Sequence, residues 1–145
     1  MFGDMGGATP PMFNNVNAMK NLKKSKKISG CLDRSNCPMT NTLDLIGDKW
    51  TLLVIRDMLF LKKKSFHEFL ESPEAIATNI LTERLKRLEK CGIIVKSPYR
   101  KSPVRYEYLL TQRGEDLRPL LIELVRWGNA HIGGTIVPSK KFFQK

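Results

Sequence analysis

One switch of period constrains this chain more than any other feature. Up to Gly92 its apolar residues recur at helical spacing; directly after it, Ile93-Ile94-Val95 and Val104-Arg105-Tyr106-Glu107-Tyr108-Leu109 read as β-strands. Before the switch, Leu43, Ile46, Trp50, Leu53, Val54, Met58 and Leu61 step by three or four. Gly47-Asp48 interrupts that stripe, and Asp48 can cap a new helix, which predicts two helices over about 39–46 and 49–61. Ser65 and Glu68 have the spacing of a capping box for a short helix, Phe66 to Leu70, stopped by Ser72-Pro73. A longer helix follows, its apolar face Ile80, Leu81, Leu85 and Leu88, with Gly92 as the left-handed stop. The strands enclose Lys96 to Pro103, read as a long basic loop. Thr111 then caps a last helix with the stripe Leu117, Leu120, Leu121, Leu124, Val125, Trp127 and Ile132.

The predicted fold is therefore α+β, mostly α. A short helix, a tight turn and an amphipathic helix make a helix-turn-helix, and the hairpin behind it makes a two-stranded wing. Residues 1–36 are expected to be a flexible basic arm, 37–132 the winged-helix domain, and 133–145 a basic tail. At 145 residues one modest core is what the chain can bury. The arm holds 6 Lys/Arg against 2 Asp/Glu and the tail three Lys with no acid, so most of the net +11 lies outside the domain. Charge alone is thus a weak pointer to a polyanion, and the arm reads as a passive solubiliser rather than a phosphate-stroking extension, the rarer role of terminal charge runs.

Several classes are excluded. No apolar run reaches the roughly 18 residues of a spanning helix, and Met1 to Gly7 has no signal-peptide character. Three cysteines and no CxxC suggest a reducing, cytoplasmic setting without a disulfide framework. No phosphate loop, nucleophile elbow, HExxH or carboxylate pair is present, so no enzyme is expected. His67 and His131 lack companions at ligand spacing, so neither metal nor cofactor is expected.

Double-stranded DNA is the expected partner. Thr78, Asn79 and Thr82 stand at the leading end of the helix that would enter a major groove about 12 Å wide. Asn79 can read adenine, whereas Lys86 and Arg87 face phosphate or solvent. Arg100, Lys101 and Arg105 on the wing are expected on the backbone, setting affinity and salt dependence. Glu83 either pairs with Arg87 one turn on, the expected arrangement, or accepts from a cytosine amino group. The rival class is a winged-helix module for protein or RNA contacts, which would not need the cationic Arg100-Lys101.

The runs Cys37-Pro38, Asp44-Leu45-Ile46-Gly47-Asp48-Lys49-Trp50-Thr51-Leu52-Leu53, Ser65-Phe66-His67-Glu68-Phe69, Leu81 through Ile94, Arg105 through Gly114 and Trp127-Gly128 together resemble the HxlR family of winged-helix regulators. That resemblance implies a homodimer, dimerisation helices at both ends of the domain, and binding, as a repressor or activator, to a pseudo-palindromic operator. It departs at Ser65, where the family usually has an arginine that would touch phosphate; Lys62-Lys63-Lys64 are candidates to replace that contact. Cys37 precedes Pro38 at a helix start, where the dipole favours a thiolate. Relatives sense electrophiles or oxidants at the matching cysteine, so Cys37 is a redox-sensing candidate; small-residue packing at the dimer interface stays open. Cys91 is expected to be inert packing and Cys31 an ordinary thiol in the arm.

Overall fold

A computed structural model describes Ile28 and residues 35–144. The chain divides into units 1–32 and 33–145, and every described helix and strand belongs to the second. The predicted arm, with Cys31, lies outside the described residues apart from Ile28, Ser35 and Asn36.

The elements run α1 (Pro38–Ile46), α2 (Lys49–Phe60), α3 (Phe66–Leu70), α4 (Thr78–Lys90), β1 (Ile94–Lys101), β2 (Val104–Leu110), α5 (Gln112–Glu115) and α6 (Arg118–His131), then a 3-10 turn, Lys140–Phe143. Local chemistry sets the early boundaries. Pro38 starts α1, where its missing N–H costs nothing. Asp48 caps α2, accepting from the Thr51 amide at 3.0 Å and the Thr51 hydroxyl at 2.6 Å. Ser65 and Glu68 close both halves of the capping box on α3. The end of α4 is a Schellman motif: Gly92 at φ +72° donates to Glu89 O and Ile93 to Leu88 O, both at 3.0 Å.

The core joins Ile46, Val54, Ile55, Met58 and Leu59 to Phe69, Leu81, Leu85, Leu88, Ile93, Ile94, Leu121 and Ile122, all buried. The α1 and α6 helices both pack on α2. A fold of helices with one antiparallel two-stranded sheet is the winged-helix architecture the sequence predicts.

Two expectations need correction. The long basic loop is mostly strand: β1 runs to Lys101 and pairs antiparallel with β2, so the reversal takes only Ser102 and Pro103. Pro98 fits because a bulge lies between it and Arg100, in a ribbon whose strands are both edges. The last helix is broken in two. Thr111 caps only α5, accepting from Gly114 N at 3.3 Å, and α6 restarts with Pro119 in its first turn, because proline disfavours helix before it and suits the first turn after it. The stripe on that helix mostly faces outward: only Leu121 of it is buried, joined by Ile122, while Leu120, Leu124, Trp127 and Ile132 are exposed.

The predicted basic tail also carries structure. Phe142 lies on Phe60 with ring centroids 4.2 Å apart, and the Arg126 guanidinium sits 5.2 Å from the Phe143 ring centre.

Candidate nucleic-acid interface

The α4 helix has two unlike sides. Leu81, Leu85 and Leu88 are buried, while Thr78, Asn79, Thr82, Glu83 and Lys86 are exposed. Its N-cap is Ala77, so no side chain satisfies the first amides, in contrast to α2 and α3. Those amides point along the axis at the positive end of the helix dipole. Thr82 donates its hydroxyl proton to Thr78 O at 2.8 Å, which leaves its outer side an acceptor and a methyl group.

Two predictions for the trailing half of α4 change. Arg87 donates to the carbonyl of Asp44 in α1, so it has a task inside the fold. Glu83 accepts from Arg84 Nη1 at 2.9 Å instead of from Arg87, and Arg84 also donates through Nε to Asp48 Oδ1 at 3.0 Å. The sequence missed this because both partners of α4, Asp44 and Asp48, lie about forty residues away. Burial pushes the Asp48 carboxyl up, but the Thr51 hydroxyl and amide and the Arg84 guanidinium outweigh it and hold it below the usual carboxylate range. Lys86 remains exposed.

The wing stands beside this helix pair by direct bonds. Tyr108 N in β2 donates to Lys64 O at 2.7 Å, and the Tyr108 ring lies 6.4 Å from that of Phe69. Between the start of α3 and the hairpin is a groove of about 490 Å³, lined by Ser65, His67, Tyr99, Arg105 and Tyr106 among others. Ser65, which stands where the family's phosphate-touching arginine would be, and Arg105, a predicted backbone contact, therefore share one concavity. Arg100 and Arg105 are direct cross-strand partners, both exposed. Like charges placed opposite each other cost the hairpin stability, a cost that a bound anion would remove. Lys101 lies at the turn opposite Val104, and Lys96 Nζ covers the Tyr106 ring at 4.3 Å.

Of the three lysines before Ser65, Lys63 is spoken for: its Nζ lies 3.1 Å from the buried Asp57 carboxylate and 2.6 Å from Ser72 Oγ. Lys62 and Lys64 are exposed. The Ser65 hydroxyl, accepting from Glu68 N at 3.3 Å, keeps its own proton to donate. The backbone amides of Lys64 and Ser65 hold the Glu68 carboxyl below the usual range. Sequence reasoning passed over Arg56-Asp57, although a charged pair inside the apolar run Leu52–Phe60 was a signal that a buried network lay there.

Cys37 is exposed and stands at the N-cap of α1. The Thr40 amide, then the Thr40 hydroxyl and the Met39 amide, lower its thiol below the ordinary cysteine value, with burial opposing only slightly. Cys91 is buried at the end of α4. His131 Nδ1 lies 2.9 Å from Trp127 O, and no group of three or more acidic, histidine or cysteine side chains among the described residues can hold a metal. None of the described helices is long and apolar enough to cross a membrane.

Comparison with known proteins agrees with this geometry. A family model described as HxlR-like helix-turn-helix matches residues 45–135. The chain is 34% identical over 99 residues to the HTH-type transcriptional regulator YdeP of Bacillus subtilis, covering 68% of this chain and 77% of that one. It is 38% identical over 93 residues to the HTH-type transcriptional regulator sll1512 of Synechocystis, covering 64% and 68%. Among solved structures, the redox regulator HypR in its oxidized form superposes with a TM-score of 0.59 at 35% identity, covering 66% of this chain and 97% of that one. These similar proteins are transcription regulators, not enzymes.

Proposed function

Because the chain belongs to the HxlR-like helix-turn-helix family of transcription regulators, we propose that it works as a homodimer on a roughly two-fold symmetric operator, each copy placing α4 in a major groove. The observation that carries this is the outer side of α4: polar and exposed at its leading end, uncapped, and flanked by a wing whose facing arginines have no acid between them. Asn79, Thr78 and Thr82 are the base-edge candidates, and the free first amides of α4 suit a phosphate. Ser65, Lys86, Arg100, Lys101 and Arg105 are assigned to the sugar-phosphate backbone, with Lys62 and Lys64 beside Ser65; Arg87 is assigned to holding α4 against α1. Met39 and Leu43 of α1 and Leu120, Leu124 and Trp127 of α6 are exposed apolar residues on two helices that share α2; a second copy of the chain is their proposed cover.

Selection of bound fragments from random duplex DNA, followed by gel shifts across a salt series, tests the reading. A preferred sequence is expected; binding governed by charge alone, or none, would favour a protein-contact or RNA module instead. The variant Arg100→Ala/Arg105→Ala is expected to weaken all duplexes alike, by about tenfold per arginine for a charge-assisted contact. The slope of log affinity against log salt should become shallower by about 0.9 for each phosphate released. A change of sequence preference instead would move these arginines to base readout.

Cys37 is the proposed sensor of an electrophile or oxidant, in keeping with the redox regulator among the similar structures. Its lowered value means that the thiolate persists to lower pH than in a free cysteine peptide. Alkylation of Cys37 should accordingly outpace that peptide at neutral pH, with the midpoint of its rate-pH curve displaced toward acid. Thr40→Val, which removes the hydroxyl, should move that midpoint part of the way back. Peptide-like rates in the parent chain would end the sensor reading.

A further inference from the structure

Asp57 is only 2% exposed, on the buried side of α2. A buried charge is tolerated when its oxygens are fully engaged, and these are. Oδ1 accepts from Arg56 Nε at 2.9 Å and Nη2 at 2.7 Å; Oδ2 accepts from Lys63 Nζ at 3.1 Å and from the Ser72 hydroxyl. The Asp57 carbonyl also takes the amides of Leu61 and Lys63, at 3.2 and 3.1 Å. Arg56 grips Glu74 through two bonds, 2.6 and 3.0 Å, which holds the Glu74 carboxyl down at about 2.

Arg56 belongs to α2 itself; the other two partners come from two loops, Lys63 from the turn that enters α3 and Ser72 from the loop that leaves it for α4. Each carries a non-glycine residue in the left-handed region, Lys62 at φ 56° and Ala75 at φ 54°, which such residues hold only when their surroundings impose it. With five residues, α3 is too short to fix its own direction.

We propose that Asp57 is a positioning residue: its carboxylate clamps both flanks of α3 to α2 and so sets where the first turn of α4 stands, governing sequence selection without touching DNA. This rests on the reading of α4 as the groove-entering helix. Base readout needs donors and acceptors within hydrogen-bond distance, whereas attraction to phosphates is long-ranged. Loosening the clamp therefore affects selective binding and spares the rest.

The test uses Asp57→Asn and Ser72→Ala in the full chain, each titrated on the selected duplex and on random duplex. Asp57→Asn should weaken the selected duplex at least tenfold and the random one less than twofold, with an unchanged salt slope. Ser72→Ala, which removes one donor and leaves the ion pairs, should lose roughly threefold in the same selective manner. Hydrogen exchange should quicken in residues 62–64 and 72–78 of Asp57→Asn and stay constant in the hairpin. Equal losses on both duplexes, or no loss on either, overturn the proposal. If the parent itself prefers no duplex, the DNA reading fails, and unchanged exchange in those two segments would separately remove the clamp.

Discussion

Leu124→Glu is expected to leave the chain folded but monomeric and to lower its affinity for the selected operator at least a hundredfold. Leu124 is 50% exposed in the single chain, as are, to similar or larger degrees, Trp127 one turn on and Leu43 on α1. A glutamate there meets water in the monomer and costs its fold little. In a two-fold dimer the substitution occurs twice, and two carboxylates must enter one apolar seam, at several kcal/mol for each charge that stays unpaired. A dimer that grips two half-sites gains its second contact at high effective concentration, worth about 10²–10⁴ in affinity; a monomer forgoes it. Sedimentation or light scattering reads the mass, circular dichroism the fold, and gel shift the affinity. A Leu124→Glu protein that remains dimeric with parental affinity would place the dimer contact elsewhere.

The same residues mark what the sequence could and could not tell. Features closed within about four residues were legible: the Asp48 and Ser65 caps, the box with Glu68, and the left-handed Gly92 all appear as expected. The two sides of α4 were legible too, because period reports which residues point together. Period does not report what they point at. Leu120, Leu124 and Trp127 repeat at helical spacing, yet the chain's own core takes Leu121 and Ile122. Long-range polar partners were likewise hidden: nothing local announces that Arg87 reaches Asp44 or that Ser72 reaches Asp57. The split between α5 and α6 was legible in Pro119, but the unbroken apolar stripe masked it, and with it the separate role of the short α5.

That short helix tolerates little. A Cβ on Gly114 would stand 2.4 Å from the Ile93 carbonyl oxygen and 2.7 Å from Leu110 Cδ2, distances no side chain occupies without displacing backbone. The same carbonyl accepts the Thr111 amide and hydroxyl, both at 3.0 Å, and the hydroxyl also bonds Gly92 O at 2.6 Å. Pushing Ile93 aside therefore loosens the α4 stop, the base of the wing and the start of α5 together. Gly114→Ala is expected to cost about 3 kcal/mol, the upper range for overpacking, out of the roughly 5–15 kcal/mol that holds a domain together. At about 4–8 °C per kcal/mol for a core of this size, the melting temperature should fall by roughly 12–24 °C. Gly133→Ala, whose Cβ meets nothing within 4 Å, should stay within about 0.5 kcal/mol of the parent. Should both alanine variants melt alike, the seating of α5 against Ile93 would be wrong, and with it the account of how one strand end carries the wing and α6 on the same core.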